Sequence, residues 1–153
     1  MQHDHSAEIT TLNTLTATLI DSITGYENSA KLIEGKQFGE MFRKRADERQ
    51  QSVEQLRGEV RRLGGNPEDG GSFLGKVHQR FEDLKAAVSG NDDKAIINEV
   101  ERGEDYLKEK FETALSSDTL SSESRAVVEQ AFESVRAGHD QMSQLKHGME
   151  ASA

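Results

Sequence analysis

The stretch EVERGEDYLKEKF, residues 99–111, crowds carboxylates into a segment that must also supply the buried face of a helix. Acids at helical spacing are the raw material of a dinuclear metal centre. Such a centre takes one glutamate from each of two helices and a Glu-x-x-His pair from each of two others, because residues three apart project to one side of a helix and chelate together. The chain contains no Glu-x-x-His. In the second helix Glu48-Arg49-Gln50-Gln51 has the spacing of that motif, with Gln51 in the place of the imidazole. Arg49 adds a fixed positive charge there, which repels a cation and competes for its carboxylates.

Walking each apolar stripe in steps of three and four shows which polar residues face inward. Ile97, Val100, Glu104, Leu107, Phe111 puts Glu104 in a seam. Val60, Leu56, Val53, Arg49, Ala46, Phe42 does the same for Arg49, and Val128, Phe132, Val135, His139, Met142 for His139. Glu27 lies at the margin of the first stripe, beside Ile23 and Ala30. Charges that face a core must be paired, hydrogen-bonded or neutralised. The expectation is a buried polar network of Glu27, Arg49, Glu104 and His139 that fixes helix register, with no catalytic residue and no cofactor. The alternative is a non-standard metal site of Glu27, Glu101, Glu104 and His139 that binds or oxidises iron; a small-anion site around Arg49 is a third reading. Glu99, Arg102, Asp105, Glu109 and Glu112 fall away from the seam and read as solvated, and Glu101 pairs in spacing with Asp105 and Lys108. Gly103, inside the helix, costs about 1 kcal/mol against alanine and predicts a close approach by a neighbour.

The stripes define the elements that must position these residues. Helices are expected near 7–34, 37–63, 92–116 and 122–147, each about 37 to 42 Å long at 1.5 Å per residue. Ser6 is the expected N-cap of the first and Gly35 its C′ residue. Gly64-Gly65-Asn66-Pro67 must be a loop, and Asn91-Asp92-Asp93 a helix start. A shorter helix near 73–88, about 24 Å long, crosses between the second and third bundle helices. The prediction is therefore all-α: a four-helix bundle with an additional crossover helix, forming one domain over residues 1–153 with frayed ends.

Composition narrows the function. The chain has 153 residues, 33% hydrophobic and 31% charged, which fits narrow apolar stripes on otherwise solvated helices. The absence of cysteine removes disulfides, thiolate metal sites and cysteine nucleophiles. A net charge of -9 opposes unspecific binding to nucleic acid or anionic membranes. The second helix carries eight bases against five acids, and residues 91–115 the opposite bias, an asymmetry suited to steering helix or subunit pairing. Met1-Gln2-His3 offers amine, amides and imidazole to a square-planar metal if the terminus is free, but reads as a tail. No serine elbow and no phosphate loop occurs. No apolar run suits a membrane span, and the N-terminus lacks the layout of a signal peptide, so a cytoplasmic location is expected.

The segments LGGNPEDGGSFLGKVHQRFEDLK, ERGEDYLKEKFETAL and HDQMSQLKHG resemble a bacterial family of ferritin-like four-helix bundles catalogued as a domain of unknown function. The resemblance covers nearly the whole chain. It implies a ferritin-like bundle in the bacterial cytosol and assigns no activity. The function expected is that of a non-catalytic, stress-related, self-associating protein, a homo-oligomer with no nucleic-acid, membrane or identifiable small-molecule partner.

Overall fold

The computed structural model describes residues 5–69 and 93–151. The expected helix at 73–88, with its caps at Ser72 and Gly90, lies outside these residues. Four helices are described: α1 (Ser6–Leu32), α2 (Lys36–Arg62), α3 (Asp93–Ser116) and α4 (Ser122–Ala151). Each buries the stripe that its sequence periodicity lays along one face. Leu12, Leu15 and Leu19 of α1 meet Phe42, Leu56 and Val60 of α2, Ile97, Leu107 and Phe111 of α3, and Val128, Val135 and Met142 of α4 in one core. Each such side chain contributes about 1.5 to 3 kcal/mol when fully buried. Phe111 and Phe132 stack at 6.1 Å between α3 and α4, and Tyr26 packs on Phe42 at 5.5 Å between α1 and α2. The threonines of α1 satisfy their hydroxyls within their own helix; Thr16, fully buried, donates to the Leu12 carbonyl at 2.8 Å.

The ends of the helices set the topology. Carboxylate oxygens of Asp93, which opens α3, accept from the Glu34 and Gly35 amides between α1 and α2 at 2.9 and 3.0 Å. At the opposite end Glu8 of α1 accepts from the Ser121 amide that precedes α4, and Glu59 of α2 accepts from the Ser124 hydroxyl. α1 therefore runs up, α2 and α3 down, and α4 up. α1 packs against α2 and α3, and α4 against the same two, which leaves α2 diagonal to α3. The chain leaves α2 at the lower end, where the Glu68 amide donates to Asn13 Oδ1, and enters α3 at the upper end. This up-down-down-up order is the one a long crossover produces.

Some ends differ from expectation. His5 is the N-cap of α1, its ring bonded to the Glu8 carboxylate at 3.0 Å rather than to a free amide of the first turn, and Ser6 is already helical; Gly35 is the N-cap of α2 rather than the C′ residue of α1. The glycine loop after α2 is as expected: Gly64 at φ 86° closes the helix, with its amide on the Arg61 carbonyl and that of Gly65 on Val60. No helix among the described residues is long and apolar enough to cross a membrane.

Candidate functional site: a buried ion pair and its surroundings

At mid-height in the bundle, Arg49 of α2 reaches across the diagonal to Glu104 of α3. The two side chains are 0% and 2% exposed and form two parallel bonds of 2.7 Å, Nη1 to Oε1 and Nη2 to Oε2. Nη1 also donates to Ser22 Oγ of α1 at 2.7 Å. The Tyr26 ring lies 5.6 Å from the guanidinium carbon, a cation–π contact. Burial alone would lower the Arg49 pKa, but the bonds and charge of Glu104 more than offset it and leave it raised. Burial, with the negative charge of Glu104, pushes the Tyr26 phenol well above its ordinary value. The fourth helix contributes a glycine. A Cβ on Gly138 would strike Arg49 Nη2 and lie 2.9 Å from Glu104 Oε2, so the pair would have to shift to admit any side chain there.

Two members of the expected network stand elsewhere. Glu27 is exposed, because the adjacent Tyr26 takes the inward position and the next residue lies about 100° round the helix. His139 is likewise one residue beyond Gly138, and it turns to α3 instead of the interior. Its Nε2 lies 2.6 Å from Asp105 Oδ1 and its Nδ1 3.3 Å from Asp140 Oδ1. Burial lowers the imidazole pKa, but the bonds to Asp140 and Asp105 outweigh it and leave it raised. Glu101, one turn above Asp105, accepts from Lys146 Nζ of α4 at 3.4 Å. Thus the structure brings together Arg49 with Glu104, and Glu101 with Asp105 and His139. Of the alternative metal set, Glu27 and Glu104 stand apart from the other two.

The residues present do not fit an iron centre in the interior. Glu104 has both oxygens committed to a guanidinium, whose fixed positive charge opposes a metal cation beside it. No Glu-x-x-His supplies imidazole there.

A cavity of about 410 Å³ opens between α1 and α3, with Ser22, Tyr26, Glu104 and Leu107 among its lining. Gly25 and Gly103 form part of its walls, and a Cβ on either would meet nothing within 4 Å. Gly103 therefore makes no close approach to a neighbouring helix, contrary to the expectation from its helix cost. The Tyr26 hydroxyl is buried with no hydrogen-bond partner among the described residues. At the lower end a second polar group pins α4. Glu59 accepts from Ser124 Oγ at 2.7 Å and from Arg62 at 2.6 and 2.8 Å, which hold its pKa below the usual carboxylate range against the effect of burial. Gly138 and Glu8, both part of these clusters, carry no distinguishing signal in the sequence.

Comparison with known proteins places the fold. No curated protein matches this sequence. Among solved structures, the chain is similar to a two-domain protein from Anabaena variabilis that contains DJ-1/ThiJ/PfpI-like and ferritin-like domains, with a TM-score of 0.74 at 15% identity. The match covers 96% of this chain and 41% of that one, so the chain spans less than half the length of that neighbour. The bundle is ferritin-like. The family described as Domain of unknown function (DUF2383) matches residues 7–117, from α1 through α3, and the chain belongs to it.

Proposed function

We propose that this chain is a non-catalytic ferritin-like bundle of the cytoplasm, its interior given over to a structural ion pair and its work done by association, copies of itself included. The observation that carries this reading is the bidentate, fully buried Arg49–Glu104 pair, closed over by Gly138, in the bundle core from which metal-binding bundles draw their ligands. A buried guanidinium bound through Nη1 and Nη2 already balances the charge of Glu104, and each Glu104 oxygen already accepts a short charge-assisted bond. The test is oxygen consumption on adding Fe(II) to purified protein, with bound iron counted by mass spectrometry. Oxidation at the rate of buffer alone is expected. About two irons per chain, lost in E104Q but kept in H139A, would overturn the reading. Light scattering after size exclusion tests the self-association, and a monomer at every concentration contradicts that part.

The α1–α3 cavity supports a second reading, the binding of a small neutral ligand. Its volume falls within the usual range of ligand pockets, and two mid-helix glycines, each about 1 kcal/mol worse than alanine in a helix, leave its walls open. G103L should fill the space without unfolding the chain and abolish uptake of a neutral fluorescent dye such as N-phenyl-1-naphthylamine. Equal uptake by G103L and the parent protein argues against it.

A further inference from the structure

We propose that Glu101 and Asp105 of α3, with His139 of α4, form a binding site for a divalent first-row transition ion of the zinc type, on the flank of the bundle and separate from its interior. One ligand atom from each residue lies within 4.8 Å of the other two. The i, i+4 spacing of Glu101 and Asp105 sets both carboxylates over one face of α3, and the imidazole reaches them from the neighbouring helix. Donors about 2.0 to 2.2 Å from a tetrahedral ion stand about 3.4 Å apart, so side-chain rotation alone closes the shell. His139 Nε2 and Asp105 Oδ1 now share one proton at 2.6 Å. The ion takes the place of that proton, which leaves to solvent, and each of the two atoms gains a metal bond.

Two further features point to a cation. The His139 Nδ1 edge faces Asp140, the outer carboxylate that fixes a ligating imidazole in the tautomer with its lone pair on Nε2. Opposite it, the Lys146 ammonium stands 3.4 Å from Glu101 Oε2, so a cation is already drawn to the group. Three carboxylates, Glu101, Asp105 and Asp140, surround the imidazole, with the charges of Lys146 and Lys108 set against them. Glu101 and His139 are 12% and 15% exposed and Asp105 55%, which fixes two donors at the bundle surface and leaves a side open for water ligands. An imidazole nitrogen with two carboxylate oxygens suits zinc, cobalt or manganese better than calcium, which takes six to eight oxygens.

Titration of the full chain with Zn(II) by calorimetry, and with Co(II) by visible absorption, tests the site. One ion per chain is expected, with affinity about tenfold or more weaker in H139A and D105A and about tenfold weaker in D140N. K146Q should bind more tightly, since the competing ammonium is gone, and R49M/E104L should bind as the parent does, which separates this site from the interior. Unchanged helical circular dichroism checks that each variant is folded. No saturable binding, or binding that survives both H139A and D105A unchanged, overturns the proposal.

Discussion

Gly138 bears on the interior as directly as either charged residue. A methyl group there meets the Arg49 guanidinium and the Glu104 carboxylate, neither of which can retreat without losing a buried bond. G138A is predicted to cost about 1 to 3 kcal/mol in urea unfolding, as overpacking does, and less in an R49M/E104L background where the side chains can yield. An equal cost in both backgrounds would mean that the methyl clashes with something else. Arg49 and Glu104 were legible in the sequence because each replaces an apolar residue at an unbroken spacing of three and four. Glu27 and His139 were harder to place. Each neighbours the inward position by one residue, and a stripe about 100° wide cannot separate the two without knowing how the helix is rotated. Gly138 gave no warning, since a helical glycine reads only as a propensity cost.

At the scale of elements, the start of α4 is held by acids from α1 and α2. Burial alone would raise the Glu8 carboxyl, but hydrogen bonds from Ser121, Ser124 and His5 outweigh it and bring it down to about 2 from 4.5. A depressed folded pKa means that the stabilisation is complete above about 4.5 and is lost as the pH falls toward 2, a contribution of about 2 to 3 kcal/mol. E8Q should flatten the acid limb of the stability profile in that window. A profile that keeps its slope would contradict the assignment. Asp93 caps the turn between α1 and α2 from another helix, and D93A should lower stability by about 0.5 to 2 kcal/mol, read from the thermal midpoint. Helix spans were legible from periodicity and from the glycine loop. The caps were not, because Glu8 and Asp93 act on segments distant in sequence, and local rules for Ser6 and Gly35 cannot see those partners.

For the molecule as a whole, matched helix lengths and the long connection between the second and third helices pointed to a ferritin-like bundle, and the up-down-down-up order follows from which ends meet. The opposite charge bias of α2 and α3 does not steer them into neighbouring positions, since they stand diagonally. Arg49 and Glu104 bond α2 to α3 across the core, so the pair ties the two diagonal helices together. Its double-mutant cycle is the most direct test. Urea unfolding of R49M, E104L and R49M/E104L should show each single variant losing about 3 to 5 kcal/mol, because one buried charge is left uncompensated, with the double variant as stable as the parent or more so. Small, additive losses would contradict a buried pair that closes the interior.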